Sequence, residues 1–398
     1  MNLIAPRQRV LMLAWEYPPR VIGGLAHAVC HLSRHLALAG LEIHVITCYV
    51  PEAPPYEIID NVHIHRVPVL QSLTPVHFLD WMFQMNLAFI DYGLKLAEQG
   101  HYFDLVHAHD WLVYYCAIAL REEWNIPLVA TIHATEFGRN LGSLDTQLQQ
   151  SIHQIESKLV QEADRIITCS QSMSLEVQRL FALSEAKVSI IPNGIEACSF
   201  QNSDSLTASP SLQLAIRSCK ADRIIGFIGR LVHEKGIHIL IQAMSLVLPW
   251  HPTAKLLIAG TGPMLDELME LASPLGDRIQ FIGFLGEPDK SIFLQQAELC
   301  VFPSLYEPFG IVALEAMINE TPIIVSNVGG LGEIVEPNWN GYQVPAGDVE
   351  AVAKQIQYVL THPTQGRLAA KNALAKAQTH YNWSTISALT AQTYEALA

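Results

Sequence analysis

Two basic and two acidic residues in the C-terminal half of the chain could bind a charged ligand. Arg230 and Lys235 lie in a loop that follows an apolar run, and Glu307 and Glu315 flank the start of a later periodic segment. Arginine offers phosphate a planar fork and lysine offers a compact charge, so together they could neutralise a diphosphate. The alternatives are a solvated basic loop, a glutamate that only caps a helix, and a second glutamate left in solvent.

The elements around Glu307 favour an anion site. The run Leu299–Phe302 is typical of a buried strand, and Pro303 ends it. Gly310 then precedes a periodic segment, Ile311–Ile318, that predicts a helix. A strand, loop and helix in this order place free backbone N–H groups and a positive dipole end at the mouth of a parallel sheet.

Glycine turns follow three other predicted strands. Gly23 and Gly24 precede the first predicted helix, Gly229 begins the loop that contains Arg230, and Gly262 closes a Gly-Thr-Gly turn. Glycine lets a backbone approach a ligand closely. Leu265 stands where a dinucleotide fingerprint needs its third glycine, which argues against a nicotinamide cofactor.

Histidines mark the ends of two strands in the N-terminal half. His133 ends one of them and could bond a substrate hydroxyl or a developing charge. His107 and His109 share one face of a neighbouring strand, whereas Asp110 points away from them. With no further ligand cluster evident, we predict no metal site here, and His109, Asp110 and Trp111 fit an acceptor-side or structural role.

Apolar runs alternate with helical patterns along nearly the whole chain. This predicts the α/β class, with two doubly wound Rossmann-like domains that face each other across a cleft. We assign residues 1–198 to an N-terminal domain, 199–213 to a linker or exposed loop and 214–379 to a C-terminal domain. A final helix, within about 380–398, is expected to rejoin the N-terminal domain. The predicted strands are 10–15, 42–49, 62–67, 105–109, 128–133, 165–169, 188–191, 224–228, 256–259, 279–282, 299–302 and 323–326.

Composition narrows the class of protein. Half of the 398 residues are hydrophobic, and 24 Lys and Arg against 38 Asp and Glu give a net charge of −14, which argues against a nucleic-acid partner. Seven scattered cysteines without a CxxC pair predict reduced core thiols, and no signal peptide is visible, so we expect a cytoplasmic protein. The helix predicted at 76–97 carries too many polar residues to span a membrane, although its aromatic stripe could touch one peripherally.

Three stretches together resemble the retaining glycosyltransferases of family 4, which have the GT-B fold. They are Pro192 to Ile195, Gly229 to Gly236, and Glu307 to Glu315, where the two glutamates enclose seven residues as in that family's E-x7-E motif. The opening segment from Trp15 to Leu25 and the segment from Val106 to Trp111 also look like glycogen and starch synthases. Those enzymes carry a lysine at the position of Val21, and the nearest cation here is Arg20.

The resemblance implies a role for each matching residue. Arg230 and Lys235 would bind the pyrophosphate of a nucleoside-diphosphate sugar, and Glu307 would hold sugar hydroxyls. Glu315 would bind the ribose, and His133 would contact the sugar near its anomeric carbon. Further donor contacts would come from Gly23, Gly24, Gly229, Gly262, Phe309, Gly310 and Ile311, and acceptor or cleft contacts from Arg20, His109, Asp110, Trp111, Ser170 and Asn193.

The leading hypothesis is therefore a retaining hexosyltransferase that forms an α-glycoside, as in glucan synthesis, without a cofactor or metal. It would move a hexose, with glucose the expected sugar, from a nucleoside-diphosphate sugar to a carbohydrate or lipid-linked acceptor. The sequence does not identify the nucleotide of the donor, which could be ADP, UDP or GDP. A sugar-nucleotide epimerase of the same architecture would convert the donor without an acceptor. A non-catalytic nucleotide-sugar sensor is the third hypothesis, and the joint presence of His133, Arg230, Lys235, Glu307 and Glu315 speaks against it.

Overall fold

A computed structural model describes residues 8–69, 77–196, 208–219 and 223–397. The chain forms two compact units, of which the first comprises Met1–Gly194 and Trp383–Ala398 and the second comprises Ile195–Asn382. Each unit contains one sheet with helices between its strands, so the predicted α/β class is confirmed.

The N-terminal unit contains an eight-stranded sheet in the order β3-β4-β2-β1-β5-β6-β7-β8. Every neighbouring pair is parallel except β3 with β4. Because the order reverses between β1 and β5, the loops after these two strands flank the crevice where ligands bind in such sheets. The strands are β1 Arg9–Leu13, β2 Glu42–Cys48, β3 Tyr56–Ile59, β4 Val62–Val67, β5 Leu105–His109, β6 Leu128–Ile132, β7 Arg165–Thr168 and β8 Val188–Ile190.

Burial on both faces explains the apolar runs of the central strands. The side chains of Val10, Leu11, Met12 and Leu13 in β1 are completely buried, as expected for a parallel strand between two helical layers. The helices of this part are α1 Gly24–Leu38, α2 Phe78–Glu98, α3 Tyr114–Trp124, α4 Glu136–Arg139, α5 Gln147–Glu162 and α6 Gln171–Phe181.

The second unit contains a wholly parallel six-stranded sheet in the order β11-β10-β9-β12-β13-β14. Its strands are β9 Arg223–Ile228, β10 Ala254–Ala259, β11 Ile279–Gly283, β12 Leu299–Phe302, β13 Ile323–Ser326 and β14 Tyr342–Val344. Its helices are α7 Pro210–Ser218, α8 Ile237–Val247, α9 Leu265–Ala272, α10 Asp289–Gln296, α11 Ile311–Ile318, α12 Gly329–Ile334, α13 Val349–Thr361 and α14 Pro363–His380.

The last helix, α15 (Trp383–Glu395), packs on the N-terminal unit. The indole of Trp383 stacks on His31 of α1 with 5.7 Å between ring centroids. The completely buried Tyr394 places its hydroxyl 2.7 Å from Nδ1 of His107 in β5. These contacts fix the helix to both a helix and a central strand of that unit.

The structure corrects the sequence predictions at residues 210–213 and at two edge strands, β3 and β14 (Tyr342–Val344), that were not predicted. Residues 210–213 are not linker, because Ser209 caps α7 by accepting a hydrogen bond from the Leu212 N–H and Pro210 suits the first helical position; residues 199–207 lie outside the described part. The N-terminal sheet also has an antiparallel edge strand, β3, which the sequence analysis missed. Three of its four residues are exposed, so no apolar run marks it.

The cysteines and the long helix α2 agree with the sequence predictions as far as they are described. Six cysteines are free and buried, and Cys198 lies outside the described residues. Among the described helices, none combines the length and the apolar character needed to cross the hydrocarbon core of a bilayer.

Candidate functional site

The C-terminal unit brings its predicted site residues to one edge of its sheet. Strands β9 and β12 are neighbours although β10 and β11 lie between them in the chain, so the order reverses here. The loops that follow them, 229–236 and 303–310, contain Arg230, Lys235 and Glu307. Crevices for ligands form at such a point, outside the carboxyl ends of the strands.

An ion pair joins these two loops. Lys235 Nζ lies 2.6 Å from Glu307 Oε2, and the Ser304 hydroxyl lies 3.3 Å from the same oxygen. The Glu307 side chain is 9% exposed and that of Lys235 is 18% exposed. Burying a charged side chain is costly unless an oppositely charged partner and hydrogen bonds compensate it. The pair therefore keeps a cation and a carboxylate side by side at the sheet edge.

Backbone contacts set the geometry of this pair. The carbonyl of Glu234 accepts hydrogen bonds from the N–H groups of Leu305, at 2.8 Å, and Tyr306, at 3.3 Å. Gly236 has a φ of +66°, and a Cβ there would lie 2.0 Å from the carbonyl oxygen of Pro303. Only glycine permits this approach, which lets the two loops lie against each other.

Arg230 is more loosely held. Its guanidinium is 3.4 Å from Glu234 Oε1, and its side chain is 48% exposed. Exposed ion pairs contribute only about 0–1 kcal/mol, so Arg230 can turn to an incoming anion at small cost. Its backbone is fixed, because the Gly229 N–H donates to Ala259 and the Leu231 N–H donates to Thr261.

The predicted helix start at Gly310 is confirmed. Gly310 has a φ of +106° and immediately precedes Ile311, the first residue of α11. A Cβ at Gly310 would lie 2.5 Å from Leu331 Cδ2, so the turn requires glycine. The first N–H groups of a helix have no partner within it. Phe309 is buried beneath this turn, against the ring of Tyr381.

Glu315 has a partner that sequence reasoning missed. Lys290 Nζ lies 2.5 Å from Glu315 Oε1 and 3.0 Å from Glu287 Oε1. Burial disfavours the Lys290 ammonium, but these two carboxylates outweigh it and raise the Lys290 pKa. Glu315 is therefore neither solvated nor a cap. Its partner lies 25 residues away in α10, and no local pattern could have shown that contact.

The glycine turn of the N-terminal unit closes on a buried carboxylate. Glu16 Oε2 accepts hydrogen bonds from the N–H groups of Ile22, at 2.6 Å, and Gly23, at 3.1 Å. Burial raises the pKa of Glu16, and these two hydrogen bonds oppose the shift. Helix α1 begins at Gly24 directly afterwards. Glu16 was not among the predicted site residues, yet it holds the predicted glycine turn in place.

Arg20 is held by two aromatic rings. Its guanidinium carbon lies 5.5 Å from the ring centroid of Trp15 and 6.0 Å from that of Trp81. Cation–π contacts at these distances stabilise a cation and restrict its orientation. The guanidinium of Arg20, the residue next to Val21, is thus restricted in its orientation.

His109, Asp110 and His133 form a connected group at the carboxyl edge of the N-terminal sheet. His109 Nδ1 lies 3.2 Å from His133 Nε2, and Asp110 Oδ1 accepts a 2.7 Å hydrogen bond from the His133 backbone N–H. Burial lowers the His133 pKa, although Asp110 opposes this effect. Asp110 has a φ of +62°, a strained conformation of the kind that clusters at functional sites.

The other predicted N-terminal residues have structural contacts. Asn193, His109 and His133 line a small cavity with Thr131 and Trp383. The Ser170 hydroxyl caps α6 by accepting a hydrogen bond from the Met173 N–H. The buried Trp111 indole N–H has no hydrogen-bond partner among the described residues. His107 uses both ring nitrogens, one on Tyr394 and one on Thr131.

Comparison with known proteins assigns the family. Residues 22–197 match the family model described as "Glycosyltransferase Family 4", and residues 215–376 match "Glycosyl transferases group 1". A glycogen synthase of Mycobacterium tuberculosis is 37% identical over 400 aligned residues, which cover 97% of this chain and 94% of that protein. The chain belongs to the family 4 glycosyltransferases. It is therefore an enzyme of the glycosyltransferase class, and the predicted resemblance to glycogen and starch synthases is confirmed.

Solved structures confirm the fold of this glycosyltransferase. A sucrose-phosphate synthase from Thermosynechococcus elongatus superposes with a TM-score of 0.80 at 26% identity, covering 98% of this chain and 99% of the other. The Anabaena protein HepE, solved in complex with UDP-glucose, gives a TM-score of 0.77 at 21% identity and covers 98% and 100% of the two chains. The two units are thus the Rossmann-like domains of a GT-B glycosyltransferase.

Proposed function

We propose that this glycosyltransferase moves glucose from a nucleoside-diphosphate glucose to a hydroxyl group of an α-glucan, with retention of the α configuration. The observation that carries the proposal is the Lys235–Glu307 pair beside Arg230 at the order reversal of the second sheet. The 37% identity to a glycogen synthase along nearly the whole chain supports glucan as the acceptor. The HepE complex, on the same fold, supports a nucleotide-glucose donor.

The proposed reaction needs charge stabilisation more than it needs a nucleophile. The bond between the anomeric carbon and the diphosphate oxygen breaks, and a bond from the acceptor oxygen to the anomeric carbon forms on the same face. The acceptor proton passes to the leaving phosphate. Positive charge develops on the sugar and negative charge on the diphosphate. Preorganised cations stabilise the second charge more in the transition state than in the bound donor.

In this proposal, different residues of the C-terminal unit bind the diphosphate, the sugar and the ribose of the donor. Arg230, which is loosely paired and exposed, turns to the diphosphate, and Lys235 supplies a fixed charge from the same loop. The N–H groups at the start of α11 meet the distal phosphate, and Glu307 accepts hydrogen bonds from sugar hydroxyls. Glu315, which is held by its ion pair with Lys290, accepts hydrogen bonds from the hydroxyls of the ribose. No protein carboxylate is assigned as a nucleophile, and no metal is needed for this step.

The test is a panel of donors and acceptors. The chain is incubated with radiolabelled ADP-glucose, UDP-glucose or GDP-mannose, each with glycogen, with a phosphorylated hexose, or alone. We expect label to enter glycogen from one of the two glucose donors. If label enters only the phosphorylated hexose, the proposal that a glucan is the acceptor is wrong. If transfer occurs only from GDP-mannose, the proposal that glucose is the transferred sugar is wrong. Conversion of the donor without an acceptor would support the epimerase instead.

A further inference from the structure

Glu42, His44 and His101 converge at the edge of the N-terminal sheet opposite to the glycine turn. Glu42 begins β2 and His44 is the third residue of that strand. His101 lies in the connection between α2 and β5. Since β2 begins at Glu42 and β5 begins shortly after His101, this edge is the amino end of the sheet. It is separate from the edge where Glu16, Asp110 and His133 lie.

The three side chains have the spacing of metal ligands. One ligand atom from each lies within 4.8 Å of the corresponding atoms of the other two. His44 Nε2 and Glu42 Oε1 are 3.4 Å apart. Bonds of about 2.0–2.2 Å from Zn²⁺ to imidazole nitrogen and carboxylate oxygen make the edge of a tetrahedron about 3.3–3.5 Å. The observed separation therefore already equals that of two ligands on one zinc ion.

A second observation points to a missing ligand. His44 is completely buried, and its Nε2 has no hydrogen-bond partner among the described residues. Glu42 Oε1 is close to it but outside hydrogen-bond geometry. Buried polar atoms normally have a partner. An uncompensated ring nitrogen beside a carboxylate oxygen suits a cation between them.

The surrounding hydrogen bonds prepare His44 for this role. His44 Nδ1 lies 3.0 Å from His65 Nε2, and His65 Nδ1 lies 3.1 Å from the Tyr92 hydroxyl. If each Nδ1 carries the proton and donates along this chain, the Nε2 lone pair of His44 is free. Metal-binding histidines almost always donate their second ring N–H in this way, which fixes ring orientation and tautomer.

The neighbours leave the ligand atoms accessible to a cation. Arg9 Nε donates to the other carboxylate oxygen of Glu42, Oε2, at 3.2 Å, so Oε1 stays available. His63 stacks on His44 with 4.3 Å between centroids and 4° between planes, and its Nδ1 is bound to the Tyr56 hydroxyl. The His63 ring therefore covers the His44 ring, and the Nδ1 atom of His63 is directed at Tyr56 and not at Glu42.

We propose that Glu42, His44 and His101 bind one Zn²⁺ ion, with water as the fourth ligand. Two imidazole nitrogens and one carboxylate oxygen suit Zn²⁺ among the common divalent ions. The ion joins the start of β2 to the connection before β5 and thereby stabilises the amino edge of the N-terminal sheet. It acts away from the residues proposed for sugar transfer.

The experiment uses the full chain, stripped with a chelator and titrated with ZnCl₂ in competition with a chromophoric chelator. We expect one tight site in the wild type, a higher midpoint of thermal unfolding with Zn²⁺, and at least tenfold weaker binding in His101→Ala and Glu42→Gln. His380→Asn, at an exposed histidine of the second unit, serves as the matched control and should bind as the wild type does. Co²⁺ in place of Zn²⁺ should give the intense visible absorption of tetrahedral coordination.

Two results would overturn the site: no stoichiometric binding to the folded wild type, or a tight site that His101→Ala and Glu42→Gln both retain. His101 is only partly buried, so His101→Ala should fold, which circular dichroism checks. No donor or acceptor enters the measurement. Its outcome is therefore independent of the proposed transfer reaction.

Discussion

At the scale of single residues, the pair of Lys235 with Glu307 is the feature that the sequence could least predict. Both residues were expected at the site from their types and their loops. Their direct contact spans 72 positions and depends on β9 and β12 being neighbours in the sheet. The same holds for Lys290 beside Glu315. Glu16 had a local signal, because a carboxylate shortly before a glycine turn can accept the N–H groups of that turn.

Replacing Lys235 separates its catalytic role from its structural one. Lys235→Ala should lower kcat by about 10²–10³-fold, the usual cost of losing one group that stabilises transition-state charge. It should also destabilise the fold by about 3 kcal/mol, because Glu307 is left as an unpaired, mostly buried carboxylate. Initial transfer rates and urea unfolding measure the two effects.

The double variant Lys235→Ala/Glu307→Gln should regain most of that stability and none of the activity. Lys354→Ala is the matched control, since Lys354 also pairs with a glutamate but both of these side chains are 75% exposed. It should change neither quantity appreciably. Transfer at the wild-type rate by Lys235→Ala would refute the assignment of Lys235 to the leaving diphosphate.

At the scale of elements, the strands buried on both faces were predicted nearly to the residue, whereas the marginal strands were missed. Strands β12 and β13 have the predicted bounds because their apolar runs end abruptly, and β4 and β5, which contain histidines, also have the predicted bounds. β3 and β14 are short edge strands without such runs. Helix α15 shows a further limit of local reasoning: its contact with β5 through Tyr394 and His107 joins residues almost three hundred positions apart.

The burial of His107 makes the fold sensitive to acid. Burial, assisted by the charge of His133, lowers the pKa of His107 to about 3, against about 6.5 in an unfolded chain. The unfolded chain therefore binds the extra proton first as the pH falls. The stabilisation by His107 is complete above about pH 6.5 and is lost toward pH 3, by about 1.4 kcal/mol per pH unit.

The variant His107→Gln should consequently be less stable than the wild type at pH 7.5 and should lose stability less steeply between pH 6.5 and 5. Urea unfolding at several pH values measures both. His380→Gln, at an exposed histidine, is the control and should keep the wild-type slope. An unchanged slope in His107→Gln would show that His107 is not a source of the acid sensitivity.

At the scale of the whole molecule, the class, the alternation of elements and the glycosyltransferase family were all predicted from the sequence. The class and the alternation of elements follow from the hydrophobic periodicity. The family follows from motifs that occur in a specific order along the chain. The roles of all the predicted site residues toward a substrate, those of Arg230, Lys235 and Glu307 included, remain predictions. The proposed zinc site has no signal in the sequence because its third ligand, His101, lies 57 positions after His44, so only the folded sheet brings the three residues together.

The most direct test of the central claim is the anomeric configuration of the first product. Nucleoside-diphosphate glucose and a short maltooligosaccharide are incubated with the wild type in a proton NMR tube. We predict a new anomeric signal with the small coupling constant of an α-glycoside, appearing as the donor is consumed. A new signal with the large coupling of a β-glycoside, or a donor that stays intact with every nucleotide offered, would contradict retaining glucosyl transfer by this chain.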